Sequence, residues 1–395
     1  MRRVTTIVVF SVVWFAVCRW GDGEPPAAAR FGAEANSTGQ PIGGGAGYSV
    51  GVTSGAATFR VTNRDELAVA LKTARCGEVV WIQSGSVIDF SGMRLEVPAG
   101  VIVAGDRGQA GSPGPLLTTK HTGDDYFILL AQGARLTGLR IRGSNPLFRQ
   151  LDDQPSEPSG YAISCSNGEV DNCEVSQFRR AGVAVFRTSE RSHIHHNYFH
   201  DIAAYPILIA NGAGDGHTIE ANRIEWAWHA IASNGSRGSG YTARYNEFIR
   251  VTRPKQFEQS GPSPPNWCLD VHGNDGADTR PARPKTRKLI VHHNTFLASP
   301  GVQVGDGHEL LTTNGLYPKY DIFVGSCPGV TTTVDIHHNR FLMHTLSGTH
   351  DPWKPYGLAI QIVGLRGLTS ISENTNAGNG EVVATIGENK FSGEK

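Results

Sequence analysis

The stretch Trp267-Cys-Leu-Asp270-Val-His272 carries the residue types best suited to chemistry. Side chains alternate faces along a strand, so a core that takes Leu269 and Val271 sends Asp270 and His272 out together. Upstream, His229-Ala-Ile-Ala-Ser-Asn234 offers His229 and Asn234 at an equivalent edge, and Tyr241-Thr-Ala-Arg244 offers Arg244. Trp226, Trp228 and Trp267 supply flat apolar rings with a polar N–H, and Lys255 adds a cation nearby. One arginine, two histidines and a carboxylate can neutralise an acidic group, remove the proton beside it and protonate a leaving oxygen. In that scheme Arg244 recognises the acid, His272 is the base and His229 the acid, with the two histidine roles exchangeable. Asp270 either orients the ring of His272 or binds Ca²⁺. Trp226, Trp228, Asn234, Trp267 and Lys255 hold the substrate. The plainer alternative makes Asp270 and His272 a polar pair facing solvent.

Local charge agrees with an acidic ligand. From Arg244 to Lys288 there are nine Lys or Arg and five Asp or Glu, 9 − 5 = +4, in a chain whose 36 basic and 36 acidic residues otherwise balance. The overall balance gives no field that would draw nucleic acid or an anionic membrane.

The elements that must position these residues follow from a repeated phrase. Ile194-His-His-Asn197-Tyr-Phe199 returns around Asn222, Asn246, Asn294, Asn339 and Asn389, with Val170, Cys173 and Val175 keeping the frame upstream. A unit of about two dozen residues, rich in short β-forming pieces, predicts a solenoid of parallel strands. A buried Asn at each bend can bond the backbone and the Asn of the next turn, making a ladder. A second strand series runs through 161–165, 182–187, 206–211, 229–234, 267–273 and 357–364, and insertions at 148–160, 253–266 and 274–288 interrupt the rhythm. His195, His292 and His337, with His196, His293 and His338 beside them, fall at the bends and read as turn residues, not as a metal site. At the start, Asn63-Arg-Asp-Glu66 predicts a capped helix through about Arg75 with Leu67, Val69, Ala70 and Leu71 on its apolar side, closing the first coil.

Over roughly residues 60–391 this frame resembles the right-handed parallel β-helix proteins of the pectate-lyase-like superfamily. The resemblance implies an all-β solenoid with an N-terminal capping helix, and an exported protein acting on polysaccharide. It points to a lyase that cleaves a uronate-containing acidic polysaccharide by β-elimination. A glycoside hydrolase using Asp270 and Asp275 and a non-catalytic glycan-binding surface protein are the alternatives.

Residues 1–30 read as a signal peptide: Arg2 and Arg3 precede the apolar run Thr5–Val17, which is short for a membrane span. The expectation is a secreted or cell-surface protein, with Cys18 a candidate for lipid attachment and no stable membrane insertion after signal removal. Residues 31–56, rich in Gly, Pro and Ala, read as a flexible linker before a single domain over 57–395. Five cysteines follow Cys18, and Cys165 and Cys173, in one coil, are the first pair to consider for a disulfide.

Overall fold

Among the described residues, three sheets stack coil upon coil, two of eleven strands and one of nine; their strands pair parallel with their equivalents in the next coil, except Val382–Val383, which pairs antiparallel with Asn374–Asn376. This is a parallel β-helix. The computed structural model describes residues 30–297 other than 121–122, 148–158, 187–188, 211–212, 234–239, 252–265 and 272–287. Beyond these it describes 303–304, 308–309, 318–325, 333–341, 360–363, 369–376 and 382–383. Within a coil, a first-sheet strand such as His193–His195 turns into a second-sheet strand, Tyr198–Ile202, and then a third-sheet strand, Tyr205–Ile209.

The register is strict along the first two sheets. Val170, Ile194, Ile219, Ala243, Val291, Ile336 and Ile371 stack along the first sheet. Phe199, Ile224, Phe248, Phe296 and Phe341 do so along the second. All are buried in one continuous core. Like side chains repeat at the inter-strand spacing of roughly 4.8 Å, and the rings of Phe248, Phe296 and Phe341 stack at 4.8 and 4.7 Å between centroids.

The bend between first and second sheets accounts for the polar residue inside the apolar frame. His196, Ala221, Tyr245, His293, His338 and Glu373 each hold a left-handed backbone with φ of 51–58°, a conformation that is uncommon outside glycine. The Asn that follows secures it. Asn222 Oδ1 accepts from the Asn197 backbone N–H at 3.0 Å and from Asn197 Nδ2 at 3.1 Å, and Asn222 Nδ2 donates to the Ile194 carbonyl at 2.9 Å. The pattern runs unbroken through Asn197, Asn222, Asn246, Asn294, Asn339 and Asn374. Asn374 thus extends the ladder beyond the repeated phrase, whose usual x-Phe ending is replaced there by Thr375 and Asn376. Asn389 lies outside the described residues.

The helix Arg64–Thr73 starts one residue after Asn63, whose side chain accepts from the Glu66 N–H. Glu66 reaches back to Thr62 instead of Asn63. Leu67, Ala70 and Leu71 enter the core, whereas Val69, expected on the apolar side, is 63% exposed. Cys165 and Cys173, the first pair to consider for a disulfide, are both fully buried free thiols; Cys165 ends the strand Ser159–Cys165, and Cys173 takes the Asn position at the bend, its N–H donating to Asn197 Oδ1.

The expected linker is not a detached segment. Residues 31–57 lie along the bends as a strap, running back toward the first coils. Gly32 N–H donates to the His338 carbonyl, Gly43 N–H to that of Ala221, and Gly45 N–H to Asn172 Oδ1. Tyr48 Oη donates to Asp171, while the Arg107 guanidinium, itself buried, holds the Gly43 carbonyl. The glycines that suggested disorder permit this contact: at Gly44 (φ +65°) a Cβ would overlap the His196 carbonyl and Asn172 Oδ1.

Replacing a rung of the ladder should be costly. Asn222→Ala orphans the Asn197 N–H and the Ile194 carbonyl inside the wall. At about 1–3 kcal/mol per buried group, unfolding in denaturant should show a loss of roughly 3 kcal/mol. Gly44→Val should lift the strap, seen as faster limited proteolysis within residues 31–57 while the solenoid's circular dichroism is kept.

Candidate functional site

The outer side of the third sheet presents a line of rings. Tyr126 pairs in register with Tyr161, Tyr161 with Ala181, and Ala181 with Tyr205. The His229 N–H bonds the Ala204 carbonyl, which places His229 beside Tyr205 on the next coil. Counting back two residues from the Ile231–Leu269 pair puts Trp267 at the same position, and Tyr320 is its register partner. Tyr126 and Tyr161 lie 5.0 Å apart between centroids, and Phe186 meets both. Tyr205 and His229 are 5.9 Å apart, and Trp228 packs on His229 at 4.4 Å and on Tyr205 at 6.3 Å. Tyr126, Tyr161, Phe186 and Tyr205 rest on Ala181, Ala184, Leu208, Ala210 and Ala232, a small cluster separate from the main core.

Asp270 belongs to this side: it is the register partner of Ala232 and lies between the core residues Leu269 and Val271. Unlike the solvent-facing residue expected, it is fully buried. Its charge reaches two phenols. Burial raises the pKa of Tyr205 and Asp270 raises it further, against the lowering effect of Arg180; Tyr241 is raised by the same two causes. Arg180 is exposed, and its carbonyl accepts the Tyr205 N–H, so it borders the ring line.

Arg244 is elsewhere. It ends the first-sheet strand Tyr241–Arg244, in the outward row Asp171, His195, Glu220, Arg244, His292 and His337. Its Nε contacts Glu220 Oε2 at 2.5 Å, and His193 Nε2 contacts Glu220 Oε1 at 2.7 Å. Both partners hold Glu220 down to about 2, overcoming the effect of burial. Alternation correctly sends Arg244 outward, but from a different sheet, so it does not join His229 and Asp270.

Trp226 is also displaced from the expected face. It takes a left-handed conformation (φ 54°) in the second-sheet strand Arg223–Ala227, as Gln177 and Asp201 do on the two preceding coils, and is 7% exposed. Trp228, His229 and Asp270 are thus brought to one side. Trp267 is placed there by register, while His272, Asn234, Lys255 and Asp275 lie outside the described residues. Tyr126, Tyr161, Phe186, Arg180 and Tyr205 were not anticipated. The sequence does hold their signal: an aromatic or His stands two residues before a core aliphatic in Tyr126-x-Ile, Tyr161-x-Ile, Tyr205-x-Ile, His229-x-Ile and Trp267-x-Leu.

Titration of the outward histidines contributes to the pH dependence of the fold. Burial, then neighbouring imidazoles, pushes His196 and His292 down to about 4 from 6.5. These groups are neutral in the folded chain and protonate first in the unfolded one, so their stabilisation is present above 6.5 and lost as pH falls toward 4. For His200, burial lowers the pKa, but hydrogen bonds to Asp201 and Glu174 outweigh it and raise it to about 9. Its contribution is complete below 6.5 and lost as pH rises through 9. Denaturant unfolding should therefore show lower stability at about pH 4.5 and about pH 9.5 than at about pH 6.5. His292→Gln should lessen the acid loss and His200→Gln the alkaline one.

No protein-family model and no curated protein matches the chain. Among solved structures, it is similar to an alginate lyase from Paenibacillus sp. str. FPU-7, with 12% identity and a TM-score of 0.39, over 81% of this chain and 99% of that one.

Proposed function

We propose that this is an exported carbohydrate-active protein, a polysaccharide lyase that binds a uronate-containing glycan along the outer side of the third sheet. The observation that supports this most is the ring line itself: Tyr126, Tyr161, Tyr205 and His229 recur at one register position, with Trp228 packed beside the last two. Apolar ring faces with polar tips, repeated at the coil spacing, suit a linear polymer of sugar rings.

β-Elimination needs the uronate carboxylate neutralised, the C5 proton removed and the departing O4 protonated. Arg180, exposed and beside Tyr205, takes the first task in place of Arg244, which stands on the first sheet away from the ring line. His229, 2% exposed within the ring line, is the candidate base. Tyr205 is the candidate acid, since burial and the charge of Asp270 keep its phenol protonated. Electrons from the broken C5–H bond form the C4–C5 double bond as the C4–O4 bond breaks, and O4 takes the phenolic proton.

Calcium, which takes about six to eight oxygen ligands, is the alternative neutraliser; here that task goes to a side chain. The described residues contain no helix long and apolar enough to cross a membrane.

The test is incubation with pectate, alginate, hyaluronan, chondroitin and rhamnogalacturonan, followed by ultraviolet absorbance and a reducing-end assay. The lyase reading expects absorbance from the new double bond. His229→Ala and Tyr205→Phe should each lower kcat by about 10²–10⁴, and Arg180→Ala should mainly raise KM. Reducing ends without absorbance would replace the lyase with a hydrolase. Binding that survives His229→Ala, with no product from wild type, would leave a glycan-binding protein.

A further inference from the structure

The outward side of the first sheet holds a second constellation, separate in residues and chemistry from the ring line. Glu169 is the register partner of His193 on the next coil, and His195 stands two residues further along the same strand, on the same face. One ligand atom from each of Glu169, His193 and His195 lies within 4.8 Å of the other two. Parallel pairing thus converges two imidazoles and a carboxylate without any loop.

The surrounding hydrogen bonds assign the lone pairs. Asn36 Nδ2 donates to the Gln40 carbonyl, which leaves Asn36 Oδ1 to accept the Thr38 hydroxyl at 2.8 Å. With its proton committed there, Thr38 Oγ1 accepts from His196 Nε2 at 3.0 Å. With the His196 Nε2 proton given to Thr38, Nδ1 of that imidazole is left to accept, and it meets His195 Nδ1 at 2.8 Å. Donation from Nδ1 turns Nε2 of His195 toward Glu169 Oε1, at 3.1 Å, where a proton or a metal ion can lie between them.

The other charges nearby are engaged. Arg135 also contacts Glu169 Oε1, at 3.1 Å, but it is bidentate to the buried Asp171 at 2.7 and 2.8 Å. Glu220 backs His193 through Nε2 while holding Arg244. A carboxylate behind a histidine is an outer contact that fixes ligand histidines at metal sites; here Glu220 stands behind His193, and the His196 ring stands behind His195.

We propose that Glu169, His193 and His195 bind a divalent transition-metal ion of the zinc class. Two nitrogens and one carboxylate suit Zn²⁺ better than Ca²⁺, and three protein ligands leave a position for water or an anionic group. Bonds of about 2.1 Å bring tetrahedral ligand atoms closer than the 4.8 Å that now bounds them, so the side chains close on the ion. His193 and Glu169 are 41% and 36% exposed and can move, while His195, at 8%, is the fixed post. The ion would tie two coils together just below the strap that supplies Asn36 and Thr38.

The proposal is tested on the full chain, stripped of metal by chelator dialysis and titrated with ZnCl₂ by calorimetry near neutral pH, with Co²⁺ absorbance reporting nitrogen ligation. Expected are one ion per chain and a melting temperature raised by zinc. His193→Ala and Glu169→Gln should each weaken binding by about 10-fold or more, with circular dichroism unchanged. Thr38→Val, which touches no ligand, should weaken it through the tautomer of His195, marking Thr38 as a positioning residue. His292→Ala/His337→Ala, which alters the other outward histidines of the row, should leave affinity unchanged. Absence of zinc binding would mean that a proton alone occupies the gap and would overturn the proposal. So would zinc binding that survives His193→Ala and Glu169→Gln.

Discussion

Every row of side chains depends on the short bend between the first and second sheets. A left-handed residue turns the chain and an asparagine follows it, bonding the neighbouring rungs. Because each Asn within the ladder is bonded on both sides, a coil cannot slide by one residue without breaking buried hydrogen bonds on two neighbours. A one-residue slip would also turn the whole apolar set outward. The ladder therefore fixes which residues become neighbours across coils.

That register makes charge placement severe. Outward residues at one position follow one another at roughly 4.8 Å, so like charges in succession repel. The first-sheet row resolves this by mixing signs: Asp171 faces Arg135, and Glu220 sits between His193 and Arg244. Where histidines follow one another directly, at His292 and His337 with rings 4.9 Å apart, the pKa of each is lowered and the stack is neutral near pH ~7. The third sheet uses aromatic rings instead, which can be stacked without a charge penalty.

The solenoid was legible in the sequence because a polar residue repeated inside an apolar frame suits a stack of identical bends and little else. The candidate site was less so. Alternation tells inward from outward, which was right for Arg244, but it does not say which of three sheets a strand joins. Asp270 was placed on the correct side, yet its complete burial depends on neighbours that no local pattern reveals. The ring line was written in the chain as an aromatic two residues before an aliphatic, but strands separated by insertions of unequal length hide that period. The strap was unreadable for another reason: glycines that let a backbone lie against a wall have the composition of glycines in a flexible linker.

Length variation also has a place dictated by the ladder. From His195 to Tyr198, Glu220 to Arg223, Arg244 to Glu247 and His292 to Thr295 the bend is constant, since two residues between the strands are all it permits. Insertions can enter only at the other two corners. In the sequence, 148–158 precedes the third-sheet strand Ser159–Cys165, 252–265 precedes Asn266–Val271, and 272–287 follows it. The constant corner is bound by the strap, so loops have no room there. The third sheet, bordered by the corners where the chain can lengthen, is where a rigid row of rings can be combined with variable loops, and that combination is how a repeated scaffold acquires a particular ligand.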